Sequence, residues 1–356
     1  MNTAGKGQSV KTEHLSKPRA IDLFSGCGGM TLGLKQAGFK VIVAVDIDPL
    51  SVETYSKNHK GVTIWETDIR NLSASKLKKT LGIRKGELDL LAGCPPCQSF
   101  SSMRTMNGGR RVRDPEQKDL VFEFLRFVKE LKPKAVMLEN VPGLAKDNRM
   151  RELLKELKLI GYKCNYAVLN AADYGVPQRR RRVILLASLT GKIEFAPYDT
   201  HQLTVRDTIA DLDPAGKSGD PLHDLPEIRS DKIKQLIKKI PRNGGSRTAL
   251  GKRQQLPCHK DFGGFLDVYG RMWWDDVAPT ITGGCVNPSK GRFLHPKYNR
   301  AITLREAALL QTFPFSYFFS LKRGKYPAAG LIGNALPPEF IRRHALEVIK
   351  HLRPKS

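Results

Sequence analysis

The chain has 356 residues, with 60 Lys and Arg against 35 Asp and Glu, a net charge of +25 and an isoelectric point near 9.9. That imbalance points to a polyanionic partner. A hydrophobic content of 40% argues against disorder, and no apolar run approaches the roughly 18 residues of a spanning helix. Six cysteines are too sparse for a secreted disulfide framework.

Residues 1–19 are polar and basic and read as a loose arm. From 20 to 191, apolar runs of strand length alternate with stretches of helical period. The strand-like runs cover 20–24, 41–45, 62–64, 88–91, 135–138, 163–169 and 182–187. Helical stretches cover 29–37, 49–57, 74–81, 117–131 and 149–159. This alternation predicts an α/β fold, a mainly parallel sheet with helices on both faces. Ligands of such sheets bind beyond the carboxyl ends of the strands. Residues 192–322, rich in Pro, Gly and basic residues, predict a smaller irregular domain with one helix at 231–240. Order then returns, with a helix at 304–311 and a closing helix from 339 onward, and residues 323–356 are expected to return to the catalytic domain.

Three features follow the early strands. A glycine-rich turn, Asp22 to Gly29, links the first strand to the first helix and permits close backbone approach to a ligand. Asp46 closes the second strand, where a carboxylate can take both hydroxyls of a ribose, and Asp68 follows the third, suited to an adenine amino group. Together they suggest an adenosine-containing cofactor. The glycine spacing does not continue as the dinucleotide fingerprint, yet NAD and S-adenosylmethionine are not separated by these residues alone.

Gly93-Cys94-Pro95-Pro96-Cys97-Gln98 follows the fourth strand. Its C-x-x-C spacing suits a redox pair, half a zinc site or two structural cysteines. No second pair at ligand spacing completes a zinc site, and one nucleophilic Cys beside an adenosine cofactor fits better. Glu139-Asn140-Val141 closes the fifth strand. In Gln178 to Arg182 the alternation puts Arg180 and Arg182 on one face.

These motifs, followed by Arg305-Glu306-Ala307-Ala308, Gln311-Thr312-Phe313-Pro314 and Gly333-Asn334-Ala335-Leu336-Pro337-Pro338, occur in one order over almost the whole chain. In that order the chain resembles the DNA cytosine-5 methyltransferases. The resemblance implies a Rossmann-like class I methyltransferase sheet and a target-recognition domain. It implies methyl transfer from S-adenosylmethionine to C5 of a flipped-out cytosine in a short double-stranded DNA sequence, with no metal.

By resemblance the nucleophile is Cys97, with Glu139 on the N3/N4 edge of the base and Arg180 and Arg182 supporting the site. Cofactor contacts fall on Phe24, Gly26, Gly28, Gly29, Asp46, Ile47, Asp68, Ile69, Pro96, Leu120 and Asn334. DNA contacts fall on Gln98, Arg104, Arg110, Arg111, Arg253 and Thr280, with 99–115 as a mobile loop over the DNA. Further basic residues for phosphates are Arg242, Arg247, Lys252 and Lys260, and base reading is expected within 244–299; Trp273 and Trp274 suit either small-domain core or base contact. The compact size looks bacterial or phage-like. A cytoplasmic enzyme, monomeric on DNA and paired or not with a restriction endonuclease of the same specificity, is what the family implies. An RNA cytosine-5 methyltransferase is the alternative; an inactive DNA-binding module and a redox protein fit the motifs less well.

Overall fold

The computed structural model describes residues 16–96, 120–251 and 266–353. Seven strands form one sheet: β1 Arg19–Leu23, β2 Lys40–Asp46, β3 Thr63–Glu66, β4 Leu90–Gly93, β5 Ala135–Asn140, β6 Lys163–Asn170 and β7 Arg181–Ser188. Their spatial order is β3-β2-β1-β4-β5-β7-β6. The first five are mutually parallel, and β7 runs antiparallel to both its neighbours. All seven predicted strands are present, shifted at their ends by a residue or two. Arg19 belongs to β1 rather than to the arm, its N–H donating to Asp89 Oδ2 at 2.7 Å.

The interior strands are apolar on both sides, as sheets covered by helices require. One core cluster joins Ile21, Val43, Leu91, Val136 and Leu185 to helices α3 Ala74–Leu81, α4 Leu120–Leu131 and α5 Asn148–Leu159. The other face packs Ala20, Val41, Leu90, Met137 and Ile184 against α1 Gly29–Ala37 and the closing helix, Pro338–Leu352. Gly29 makes that approach possible: a Cβ there would stand 2.3 Å from the Leu336 carbonyl oxygen.

Local signals fix the helix ends. Asp48 caps α2 Pro49–Asn58, accepting from the Ser51 N–H at 3.0 Å, with Pro49 in the first turn. Ser73 caps α3, and left-handed Gly82 closes it.

Beyond β7 come short helices α6 Val205–Ile209 and α7 Pro221–Asp224, which the sequence reading missed, then α8 Asp231–Lys239 and α9 Leu304–Leu310. Thr303 and Glu306 form a reciprocal capping box at the start of α9. α10 Lys325–Asn334 was also missed, and α11 Pro338–Leu352 is the closing helix. A third core, built from Val205, Met272, Ile281, Phe293, Leu304, Phe313 and Ile332, includes Cys27 and Leu50 from the sheet region. A satellite cluster, Leu236, Ile237, Ile240, Leu250, Tyr269 and Leu294, sits around α8. No helix among the described residues is long and apolar enough to cross a membrane.

Candidate active site

Strand order reverses between β1 and β4, the switch point where open α/β sheets place ligands. A cavity of about 890 Å³ opens there at the carboxyl ends of the parallel strands. It is lined by Phe24, Gly26, Gly29, Asp46, Ile47, Asp68, Ile69, Pro96, Leu120, Glu139, Arg180, Arg182 and Asn334, so nearly all the described site residues named from the sequence converge. Cys97, Gln98, Arg104, Arg110 and Arg111, with the 99–115 loop, lie outside the described residues, as do Lys252, Arg253 and Lys260.

Phe24 holds φ +61, a left-handed conformation that costs a non-glycine residue energy and that clusters at functional sites. The turn after it is fixed by Asp46, whose Oδ2 accepts from the Gly26 N–H at 2.7 Å and whose Oδ1 accepts from the Asp48 N–H at 2.9 Å. Burial raises the Asp46 carboxyl above its ordinary range against these two donors. Asp68 differs: Arg70 clasps it through Nε and Nη2, at 3.0 and 2.6 Å to Oδ2, which holds the carboxyl below its ordinary range. The adenine partner expected at Asp68 therefore competes with an intrachain cation two residues along.

Gly28 does not line the cavity. Its carbonyl lies 3.1 Å from His59 Nε2, which is also 2.9 Å from the Tyr317 hydroxyl. That hydroxyl donates its single proton to the Cys27 carbonyl at 2.6 Å, so His59 Nε2 carries the hydrogen. Burial lowers His59 to about 4, keeping it neutral. A third polar chain lies beneath the turn, with Thr31 donating to Asp22 Oδ2 at 2.7 Å; burial raises Asp22 to about 7.

At the other end of the cavity stand Glu139, Arg182 and Cys94. Arg182 Nε is 3.0 Å from Glu139 Oε1, and the Cys94 thiol donates to Oε2 at 2.8 Å. Burial raises the Glu139 carboxyl, opposed by Arg182, the thiol and Arg180. This grouping depends on β7 being antiparallel: its first residues lie beside the last residues of β5, Asn140 pairing with Val183. Arg180 and Arg182 face inward while Arg179 and Arg181 are exposed, as alternation predicts.

Arg180 is fully buried, donating to the carbonyls of Ile281 at 2.9 Å, Gly333 at 3.1 Å and Ala335 at 3.0 Å. Burial lowers its guanidinium to about 9. Gln178 stands beside it, its Nε2 donating to Gln311 Oε1 at 2.9 Å and its Oε1 accepting from the Ile281 N–H at 2.8 Å. Backbone contact here is close: a Cβ on Gly333 would stand 2.1 Å from the Thr282 carbonyl carbon. Thr280 Oγ1, expected on the DNA, donates within the chain to the Arg179 carbonyl at 2.6 Å.

One small-domain expectation changes. Arg247 is 2% exposed, so it is not a surface phosphate contact; Arg242 is exposed. Trp274 is half-buried, edge-on to His295 at 5.3 Å, as core. Trp273 remains open, with the Arg292 guanidinium 4.1 Å from its ring centre. Sequence reasoning missed Arg70, Gln178 and Gln311 as structural members of the site and Arg323 as a lining residue, 3.5 Å from Asp48. Only the carboxylate two residues before Arg70 gave a signal. No group of His, Cys, Asp or Glu among the described residues is arranged to hold a metal ion.

The switch-point cavity and the strand order define an α/β sheet of the class I methyltransferase type. The family model of the C-5 cytosine-specific DNA methylases matches residues 19–350, and the chain belongs to that family. It is accordingly a DNA cytosine-5 methyltransferase. Among its relatives, the type II methylase M.HgiDII of Herpetosiphon aurantiacus is 36% identical over 89% of this chain and 91% of its own length. M.XorII of Xanthomonas oryzae pv. oryzae, a type II methyltransferase, is 32% identical over 96% and 87%. Among solved structures, a candidate DNA modification methyltransferase encoded within an E. coli prophage is 26% identical with a TM-score of 0.68, covering 95% of this chain and all of its own. S. pombe Dnmt2, at 20% identity, a TM-score of 0.62 and the same coverage, shares the fold.

Proposed function

We propose that the enzyme transfers a methyl group from S-adenosylmethionine to C5 of a cytosine flipped out of double-stranded DNA, through a covalent bond between Cys97 and C6. The observation that carries this reading is the convergence of Glu139, Arg182 and the Cys94–Pro96 turn at one end of a cavity whose other end is lined by Asp46 and Asp68. A base inside a duplex cannot reach such a recess, so extrusion is required.

The residues present fit the cofactor. Ile47 exposes 62% of its surface beside the cavity, an aliphatic face for a flat ring. Ser25 Oγ, buried in the lining, has no hydrogen-bond partner among the described residues. Asp46 and Asp68 would hold ribose and adenine, with Phe24, Gly26, Gly29, Pro96, Leu120 and Asn334 enclosing the rest. When bound, the cofactor supplies an electrophilic methyl group. Cytosine C5 is too weak a nucleophile until a thiolate adds at C6, the role assigned to Cys97. Glu139, its carboxyl raised by burial, polarises the N3/N4 edge during that addition, and Arg182 holds Glu139 in place. Loss of the C5 proton and of the thiolate then gives 5-methylcytosine.

Residues 192–322, with Arg253, are assigned to target recognition, and Arg104, Arg110 and Arg111 of 99–115 to further DNA contacts. Phosphate contacts make affinity fall with salt at a logarithmic slope of roughly −0.9 per phosphate. The type II names of the relatives support pairing with a restriction endonuclease of the same specificity. The deciding experiment incubates the enzyme with S-adenosylmethionine and unmethylated genomic DNA, then maps 5-methylcytosine base by base. Methylation at one short motif is expected. Methylation of tRNA with DNA left untouched would overturn the DNA reading in favour of an RNA substrate.

A further inference from the structure

Cys94 lies three residues before the proposed nucleophile and has no part in the reaction as described above. Its location is nevertheless tightly set. Its N–H donates to the Leu23 carbonyl at 3.2 Å, continuing the β1–β4 ladder beyond the last paired residue. The next carbonyl, that of Pro95, accepts from Asn140 Nδ2 at 2.9 Å, so the turn after β4 is tied to the residue following Glu139. Between these two anchors the Cys94 thiol meets Glu139 Oε2 at 2.8 Å, while Arg182 Nε forms an ion pair with Oε1 at 3.0 Å.

We propose that Cys94 is a positioning residue for Glu139: its S–H donates to Oε2 and, against Arg182 on Oε1, fixes the carboxyl plane that receives the cytosine edge. The inference rests on the functional reading of Glu139. A carboxyl group can turn about its terminal bond, and a single ion pair leaves that rotation open; two partners on different oxygens close it. Glu139 is 1% exposed, so water does not serve as the second partner at low cost. The groups acting on Glu139 among the described residues are Cys94 from the turn after β4, and Arg182 and Arg180 from the start of β7. The thiol and both arginines favour the carboxylate, against burial. The Cys94 thiol is itself pushed well up by burial and by Glu139, so it stays protonated and able to donate.

Two measurements on the full-length enzyme test this. The first is the infrared S–H stretch, isolated as the difference between the parent and Cys94→Ala. Glu139→Gln exchanges a charged acceptor for a neutral one and should move that band to higher frequency; an unmoved band overturns the proposal whether or not the enzyme methylates DNA. The second is the pH profile of kcat. The limb that vanishes in Glu139→Gln should shift upward by about one unit in Cys94→Ala, a tenfold change in protonation ratio, because removing a donor disfavours the charge. Cys94→Ser, which keeps a donor, should return the limb toward the parent with KM for DNA unchanged. An active parent whose profile is superimposable on that of Cys94→Ala sinks the positioning role alone. A parent that moves no methyl group to DNA sinks the functional reading, and the infrared result then stands separately.

Discussion

Arg180 Nη2 donates to the Gly333 carbonyl at 3.1 Å, joining residues 153 positions apart. The same guanidinium holds Ile281 and Ala335, so one side chain ties the start of β7 to the small-domain stretch and to the turn carrying Asn334. Arg180→Ala would remove this donor from the Ile281 and Gly333 carbonyls, while Ala335 keeps Gln311 Nε2 at 3.3 Å. At about 1–3 kcal/mol per unsatisfied buried group, the loss amounts to several kcal/mol. The expected outcome is a large fall in the urea midpoint together with weakened cofactor binding by calorimetry. Arg180→Lys keeps the charge without the planar fork and should recover only part of the loss.

The chemistry predicts a different pattern for Cys97 and Glu139. Cys97→Ser should abolish methyl transfer while leaving folding and cofactor affinity nearly unchanged, and Cys94→Ser should keep substantial turnover. Glu139→Gln, which retains shape but not charge or acidity, should lower kcat by roughly 10²–10⁴-fold. A duplex carrying 5-fluorocytosine at the target should trap a denaturation-resistant protein–DNA adduct, because fluorine cannot leave as a proton does. Full activity of Cys97→Ser would eliminate the covalent route.

The sheet and the carboxyl-end cavity were legible because each strand ends on a residue of distinct chemistry, and because apolar strands alternate with 3.6-period helices. Asp46, Glu139 and Arg182 could be placed from position alone. α10 escaped because its sequence, KYPAAGLIGN, carries Pro and two Gly and is packed from several sides, leaving no apolar stripe to count. The Asp68–Arg70 clasp also escaped: the cap and the middle residue of a three-residue 3-10 turn give no periodic signal. Arg247 was misplaced as a surface residue because composition cannot distinguish a solvated arginine from a buried one.

Three histidines make stability depend on pH. Burial lowers His59 and His295 to about 4 and His344 to about 3, from an ordinary 6.5. A folded pKa below the unfolded one means that their neutral forms support the fold fully above 6.5. This support is withdrawn as pH falls from 6.5 toward those values, where the unfolded chain binds more protons. Asp22, raised to about 7, acts with the opposite sign over 7 down to 3.8 and offsets one of the three. His344→Gln should therefore remove about one proton of uptake, making the stability slope near pH 5 shallower by about 1.4 kcal/mol per pH unit. Chemical denaturation of parent and variant at several pH values reads this directly; parallel slopes would refute the assignment to His344.

Arg271 supplies the last prediction. Its side chain is fully buried, and all five guanidinium hydrogens have acceptors. Nε donates to Ile240, Nη1 to His295 and Tyr298, and Nη2 to Ile237 and to Asn299 Oδ1, at 2.6–3.1 Å. Two of these carbonyls lie at the end of α8, where a cation also meets the negative end of the helix dipole. Burial lowers the guanidinium to about 10, still charged at neutral pH. Arg271→Met removes five donors at once and should free α8 from the 295–299 turn, while the sheet and its cavity keep their own contacts. Hydrogen exchange should accelerate in 231–250 and 266–300 and stay unchanged in β1, β4 and β5. Cofactor affinity should hold while affinity for substrate DNA falls. Uniform acceleration across the sheet would show instead that Arg271 supports the whole chain rather than this region.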